Sequence, residues 1–242
     1  MKFLSRSFLI FFIAVTALHF STKLIVAEDA TQPKHGESGL SKRPWQYGVF
    51  VQSGFAPNYK NDGGFLHWTE QLQLFSAGVE IGKQTHRVEG PRLLRGRGEA
   101  LLEVMPYWLA RFPKQNLTYY LPDNAVVDSG IWNGEDFHGA SVTPFLLRWN
   151  FSQRDSARVV PWTQFGGGLL WTNHKFPLSY YGGTSVINFT PQVGAGVNVF
   201  NKPKHSVNLA MKMIHISNAS LGDNNPAIHV TLQFSAGYSW WR

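Results

Sequence analysis

The fold is decided by a stretch that reads INFTPQVGAGVNV and spans residues 187–199. Apolar side chains fall at alternate positions from Ile187 to Val199, and most positions between them hold Asn, Thr, Gln or Gly. A β-strand points successive side chains to opposite faces of its sheet, so this period of two predicts a strand with one apolar and one polar face. Residues 228–240 repeat the alternation. The pattern indicates an all-β protein.

The alternation extends outward from this stretch over the whole region after Trp45, without a helical period of any length. A bilayer-crossing strand needs roughly 9–11 residues, whereas strands of soluble proteins usually have about 5–6, and most of these runs reach the greater length. We therefore expect one domain at 44–242 with strands near 45–54, 69–83, 97–111, 137–151, 158–172, 185–200, 205–218 and 227–241.

The connections between these strands alternate in length. Short turns at 152–157 and 201–204 contrast with longer connections at 55–68, 112–136 and 173–184. Outer-membrane barrels have short periplasmic turns and longer external loops. The sequence therefore predicts an eight-stranded antiparallel transmembrane β-barrel. The connection at 84–96 departs from the pattern, because it should be a periplasmic turn but is long and rich in Arg.

The composition agrees with a membrane barrel. Charged residues make up only 15% of the chain and aromatic residues 14%, whereas a soluble domain usually has about 25% charged residues. On composition alone a soluble β-sandwich stays open. The net charge of +7 is scattered, which argues against a nucleic-acid partner and suits an anionic lipid surface. The absence of Cys excludes disulfides and Cys-based zinc sites.

The first residues have the layout of a secretory signal. Lys2 and Arg6 precede a short apolar run at 8–18, which is too short to span a bilayer as a helix. We expect a signal peptide at 1–27 with cleavage after Ala27, although cleavage after Ala17 and an uncleaved anchor are alternatives. A polar linker follows at 28–43. The expected location is a bacterial outer membrane, after secretion across the inner membrane.

One strand carries residues suited to chemistry. In the run 205–218, alternation puts Asn208 and Lys212 on the interior face and His215 and Ser217 on the lipid-facing surface, together with Val207, Leu209, Met211 and Met213. A polar pair facing lipid is costly unless it has a function. A base beside a hydroxyl is the minimum apparatus of an activated nucleophile. The alternative is an interfacial pair that reaches toward the lipid headgroups.

A longer string around this pair resembles a known family. His215-Ile216-Ser217-Asn218-Ala219, followed by Leu221-Gly222 and Asn225-Pro226, is similar to the lipid A 3-O-deacylase (PagL-type) family. Weaker similarities lie at 102–106, 167–173 and 188–192, and the resemblance covers roughly 45–241. It implies an outer-membrane barrel that removes the ester-linked acyl chain at position 3 of lipid A, with lipopolysaccharide of the outer leaflet as its partner and no metal or organic cofactor.

The resemblance also implies roles for particular residues. Ser217 would be the nucleophile, His215 the base and Asn218, with a nearby backbone N–H, the oxyanion donor. The family's acid falls on His229, which carries no negative charge but could accept the N–H of His215 as a neutral imidazole. Alternation puts His229 on the interior face unless a β-bulge turns it outward.

The chain departs from the family at Ser220, where Gly is common, so the backbone loses the freedom that Gly has. Asp223 is an alternative acid.

Other residues have expected roles outside this site. Glu103 is expected to be an interior charge paired with an Arg such as Arg148. Gly166-Gly167-Gly168 is expected to relieve crowding or bend a strand. No metal-ligand pattern is present among the nine His. The alternative function is a non-catalytic adhesin or structural barrel with a lapsed site, and the oligomeric state stays open.

Overall fold

The computed structural model describes residues 45–57, 72–85, 88–91, 94–120, 126–152, 157–176, 185–221 and 227–242. The expected signal peptide, the linker at 28–43 and Asp223 lie outside these ranges. No helix in the described part is long and apolar enough to cross a membrane.

The described residues form eleven strands. In chain order they are β1 (Trp45–Phe55), β2 (Gln73–Gln84), β3 (Gly96–Phe112), β4 (Gln115–Tyr120), β5 (Val126–Trp132), β6 (Glu135–Phe151), β7 (Val159–Phe176), β8 (Ser185–Phe189), β9 (Gln192–Lys202), β10 (His205–Ser217) and β11 (Ala227–Trp241). Strands β8 and β9 act as one crossing that is interrupted at Pro191, because proline has no N–H to donate to a neighbouring strand.

The strands close into a ring of eight crossings. Neighbouring strands are antiparallel in the order β11-β1-β2-β3-β6-β7-β8/β9-β10, and β10 pairs with β11 to complete the barrel. The predicted eight-stranded antiparallel barrel is therefore confirmed, with its strands at the expected places. The predicted loop at 112–136 is wrong in one respect, because it contains the separate hairpin β4–β5.

The outer surface of the barrel carries a broad apolar belt. Phe145, at 78% exposure, and Val51 and Phe165, each at 61%, are its most exposed members. The belt ends at Arg111 and Asp136, an exposed ion pair with N···O 2.8 Å on the side where the long connections lie. The hydrogen bond from Arg111 holds the pKa of the Asp136 carboxyl below its usual range. We call this side the outer end and the opposite side the turn end.

The interior in the middle of the barrel is mainly polar, and a small apolar cluster of Val160, Phe200 and Trp241 lies at the turn end. Lys212 donates a hydrogen bond to Glu103, and both side chains are almost fully buried. Arg148 binds Glu80 at 2.6 Å and also donates to Gln164. Glu103 is an interior charge as predicted, but its predicted partner Arg148 is wrong. The charges that meet across the lumen of a barrel are set by strand tilt and register. The alternation of residues along one strand gives no information about either.

The interior near the outer end is apolar. The members of this apolar cluster are Ala56, Leu72, Leu74, Trp108, Ala110, Phe112, Phe137, Leu170, Phe176, Ile214, Ile216 and Ile228. Trp108 and Phe176 meet edge to face with ring centroids 5.3 Å apart. The three isoleucines come from β10 and β11, so these two strands are packed from inside over their outer ends. The inward face of β10 is therefore polar as far as Lys212 and apolar at Ile214 and Ile216.

The glycine run on β7 relieves crowding, as predicted. A Cβ on Gly166 would lie 2.0 Å from the backbone oxygen of Phe145, whereas a Cβ on Gly167 would meet only Pro191, at an ordinary 3.7 Å. Strand β6 has a register shift against β7 between Val142 and Phe145. Strand β6 therefore approaches β7 more closely than a side chain at residue 166 would allow.

Candidate active site

His215 lies on the outer face of β10, two residues before the strand ends. Its backbone N–H donates to the carbonyl of Pro191 at 3.0 Å, across the interruption between β8 and β9. Its side chain is half-buried and lies on the same face as Leu209, Met211 and Met213. Lys212, at 3% exposure, and Asn208 point inward, which confirms the predicted register of this strand.

A β-bulge sets what lies beside His215. Ile214 pairs with Thr231 and Ile216 pairs with Ile228, so His229 and Val230 together oppose the single residue His215. Ile228 and Thr231 are buried, whereas His229 and Val230 are both exposed. Strict alternation would put His229 inward, and the exception that the sequence analysis allowed, a bulge, applies here. The bulge shifts the phase of β11 and turns His229 outward beside His215.

The backbone of His229 orients the His215 imidazole. The Nδ1 atom of His215 lies 3.1 Å from the carbonyl oxygen of His229. A carbonyl oxygen only accepts hydrogen bonds, so Nδ1 carries the proton and, in the neutral ring, Nε2 keeps its lone pair. The two imidazole rings lie side by side with centroids 6.3 Å apart and an interplanar angle of 38°. His215 is therefore held in the tautomer that a general base at Nε2 requires.

Ser217 ends β10 between two neighbouring strands, with Phe189 and Ala227 as its Cα partners. It has the same alternation phase as His215 but is only 7% exposed, so it is more enclosed than a lipid-facing residue was predicted to be. Within the described residues no hydrogen bond joins its hydroxyl to the His215 imidazole. Catalytic hydrogen bonds are often loose in the absence of substrate and tighten in the reacting complex.

A tight turn follows Ser217. The N–H of Leu221 donates to the Asn218 carbonyl at 3.0 Å, and both central residues have positive φ, 48° at Ala219 and 64° at Ser220. Two consecutive positive φ values identify a type I′ turn, which favours Asn and Gly. This turn supplies the change of chain direction that alternation alone would not give after β10.

Asn218 is fully buried at the start of this turn. Its side-chain Oδ1 accepts the N–H of Ser220 at 2.9 Å. This bond fixes the plane of the amide and directs Nδ2, the donor half of the group, away from Ser220. It also occupies the Ser220 N–H, so this backbone donor is already engaged.

The structure thus brings His215, Ser217, Asn218 and His229 together at the outer ends of two paired strands. Sequence reasoning missed the two backbone carbonyls that hold His215, those of Pro191 and His229. Every residue carries a carbonyl, so no residue type indicates such a role. In the described part of the chain no group of three or more His, Cys, Asp or Glu could hold a metal ion.

The closed ring of eight antiparallel strands with an apolar outer face defines the class of outer-membrane-type β-barrels. The model of the family "Lipid A 3-O-deacylase (PagL)" matches residues 46–239. The chain belongs to this family, as its sequence resemblance indicated. No curated protein sequence matches it.

Three solved structures of similar shape are distant in sequence. The outer membrane enzyme PagL is 16% identical, with a TM-score of 0.45, covering 80% of this chain and 98% of its own. The outer membrane protein OprG from Pseudomonas aeruginosa is 10% identical, with a TM-score of 0.44 and coverages of 87% and 99%. Ail, the attachment invasion locus protein of Yersinia pestis, is 13% identical, with a TM-score of 0.37 and coverages of 82% and 97%.

Proposed function

We propose that this protein is a lipid A deacylase of a bacterial outer membrane that hydrolyses the 3-O-linked acyl ester, with Ser217 as nucleophile and His215 as general base. Membership of the lipid A 3-O-deacylase family supports the substrate. The observation that carries the assignment of residues is the hydrogen bond from His215 Nδ1 to the His229 carbonyl, 3.1 Å long. It leaves Nε2 as a base, two residues from a serine at the same strand end.

In the proposed reaction, the Nε2 atom of His215 takes the Ser217 hydroxyl proton while Oγ attacks the ester carbonyl carbon. The resulting tetrahedral intermediate bears a negative oxygen, toward which Asn218 Nδ2 would donate. One such donor contributes about 3–4 kcal/mol in known hydrolases. The intermediate expels the sugar oxygen, which takes the proton from His215. A water molecule, deprotonated by the same Nε2, then hydrolyses the acyl-Ser217 ester and releases a fatty acid.

The position of the pair suits a lipid ester. Residues 1–27 would direct secretion, and β10 would then run from a periplasmic turn toward the outer leaflet, with its end at the junction of sugars and acyl chains. On β10 and β11, the outward-facing side chains are apolar through the middle of the strand. Toward the outer end, His215 and His229 are the first outward-facing polar side chains. A lipid diffusing in the membrane plane would meet them from the side of the barrel and would not need to enter it.

The His229 position determines how strong this base is. A carboxylate would stabilise the His215 imidazolium by charge, whereas the His229 carbonyl stabilises it only by a neutral hydrogen bond. We infer that the carbonyl keeps the orienting role of the missing acid and loses its electrostatic one. The enzyme would therefore use the same chemistry as family members that carry the acid, but at a lower rate.

The second candidate is a non-catalytic adhesin or structural barrel. It is favoured by the absence of a carboxylate at residue 229 and by the lack of a hydrogen bond between Ser217 and His215 among the described residues. On this alternative, His215 and Ser217 would be interfacial polar residues, and the external connections would carry the function.

The test is production of the full chain in a bacterial host whose lipid A keeps all its acyl chains, followed by mass spectrometry of extracted lipid A. The expected product has lost one 3-O-linked acyl chain. Ser217→Ala and His215→Ala should each lower product formation at least about a thousand-fold while the barrel stays folded in a heat-modifiability gel. Matched controls are Ser53→Ala and His138→Ala, which remove exposed residues of β1 and β6. Near-full activity of folded Ser217→Ala would eliminate the proposed nucleophile.

A further inference from the structure

The turn end of the barrel carries exposed cations that the proposed reaction does not use. Among the described residues they are Lys83, Arg95, Arg158, Lys202, Lys204 and Arg242, which we call the basic girdle. No ion pair joins any of them to a described acid; the described ion pairs lie in the barrel interior or at the outer end. Glu89 is the one exposed acid in the described part of this end.

The girdle adjoins a patch of aromatic side chains on the paired strands β1 and β11, at the edge of the apolar belt. Trp45, Tyr47 and Trp240 are each about two-fifths exposed, at 43%, 42% and 39%. Lys83 Nζ lies 5.0 Å from the centroid of the Trp45 ring. Trp and Tyr mark the level at which a membrane protein meets lipid headgroups. The ammonium group of Lys83 is therefore at headgroup height.

The long Arg-rich connection at 84–96 belongs to this surface. Glu89 and Gly96 exchange two backbone hydrogen bonds of 2.9 Å, which continue the β2–β3 ladder beyond the strands. Trp149 donates its indole N–H to the Leu94 carbonyl at 3.1 Å, and the N–H of Ser152 donates to the Arg95 carbonyl at 3.0 Å. The connection is thus fastened to the end of β6, and it holds Arg95 at the wall of the barrel.

The girdle runs around the barrel and is not gathered at one point. Its members lie on β2, on the β2–β3 connection, just before β7, at the end of β9, on the β9–β10 turn and just after β11. A single compact anion would need convergent cations, whereas an annulus of lipid headgroups meets a protein around its circumference. At the outer end, by contrast, Arg111 is neutralised by Asp136, with Lys114, Lys175 and Glu135 nearby along the described strands.

We propose that the basic girdle binds anionic phospholipid headgroups of the periplasmic leaflet and so fixes the height of the barrel in its membrane. Juxtamembrane Lys and Arg are attracted to anionic lipid surfaces over about one Debye length. The cations attract the anionic headgroups, and the aromatic patch on β1 and β11 marks the headgroup level. The apolar belt contacts the acyl chains. This function is independent of the proposed deacylase reaction, which would take place at the opposite end.

The test uses the full chain refolded in neutral detergent and mixed with equimolar phosphatidylglycerol and phosphatidylcholine. Native mass spectrometry then measures the ratio of the two lipids retained on the folded protein. We expect a preference for phosphatidylglycerol that falls at least about three-fold in K202Q/K204Q. The preference should survive in K202R/K204R, which keeps both charges, and in the matched control K114Q/K175Q, which removes two cations at the outer end.

Salt provides a second arm of the test. The preference should shrink in about 0.5 M sodium chloride, because exposed charges are then screened. Equal retention of the two lipids by the wild type would overturn the proposal, as would an equal loss of preference in K114Q/K175Q. Co-sedimentation with peptidoglycan sacculi without any phospholipid preference would assign the surface to the cell wall and would also overturn it. Only protein in the folded, heat-modifiable form is counted, so a variant that refolds poorly still yields a ratio.

Discussion

Replacement of the His229 side chain separates two roles that one residue could have in the site. His229→Ala removes the imidazole but keeps the carbonyl that accepts from His215 Nδ1 at 3.1 Å. The acceptor of the Nδ1 hydrogen bond is this carbonyl and not the His229 side chain, whose ring centroid lies 6.3 Å from that of His215. We therefore expect His229→Ala to remain an active deacylase.

The size of the effect follows from the hydrogen bonds involved. A neutral hydrogen bond contributes about 0.5–1.5 kcal/mol, and a factor of ten in rate corresponds to about 1.36 kcal/mol. Loss of the imidazole should thus lower kcat by no more than about twelve-fold. His229→Glu would place a carboxylate beside His215, and a charge-assisted bond exceeds a neutral one by about 1–1.5 kcal/mol, so kcat should rise about five- to twelve-fold. His229→Gln, the neutral isostere, should show no rise.

The assay is deacylation of purified lipid A by refolded protein, with product quantified by mass spectrometry as a function of time and substrate. Equal amounts of folded barrel are compared, and Ser217→Ala sets the background. A loss of more than about a hundred-fold in folded His229→Ala would refute the reasoning, because it would make the side chain the essential acceptor. Unchanged kcat in His229→Glu would mean that a side chain at residue 229 does not reach Nδ1 and that the carbonyl serves alone.

Three further predictions concern stability and are measured by urea unfolding of the refolded barrel. Ser220→Gly should stabilise the protein by about 0.5–1 kcal/mol, because a φ of 64° is strained for serine and relaxed for glycine. Glu103→Gln should destabilise it by about 3 kcal/mol, because Lys212 stays buried and charged, and E103L/K212M should recover most of that loss. Gly166→Ala should cost at least about 2 kcal/mol, because its Cβ would lie 2.0 Å from a backbone oxygen of β6, whereas Gly167→Ala should be near neutral.

The barrel itself could be predicted from the sequence because its evidence is local. Alternation along a single strand states which side chains face lipid, and so Lys212 was placed inside and Leu209 outside without knowledge of any neighbour. The lengths of strands and turns then limited the possible architectures. The partner of Glu103 could not be predicted in this way, because it lies on the far side of the lumen and depends on the tilt of every strand between them.

The candidate site was predictable in its residues but not in its geometry. The family resemblance of the string from His215 to Ala219 led to the proposed nucleophile, base and oxyanion donor, whose roles stay predictions. Alternation failed at His229, because it assumes that two paired strands contribute equal numbers of residues, and a bulge breaks that equality. No residue type in the sequence predicts a bulge of this kind. Likewise, no residue type predicts that a backbone carbonyl takes the place of an acid.

The interior of the barrel also determines the direction of the site. Ile214 and Ile216 flank His215 in the chain and are buried in the apolar cluster, so His215 must face outward. Across the bulge, the Thr231 hydroxyl donates to the Ile214 carbonyl at 3.0 Å, and Ile228 packs into the same cluster. These two anchors hold the bulged residues between them and aim the His229 carbonyl at Nδ1. A side chain on the lipid-facing surface has few rigid neighbours of its own. The orientation of His215 is set instead by the packing of Ile214, Ile216 and Ile228 on the inner face of the barrel wall.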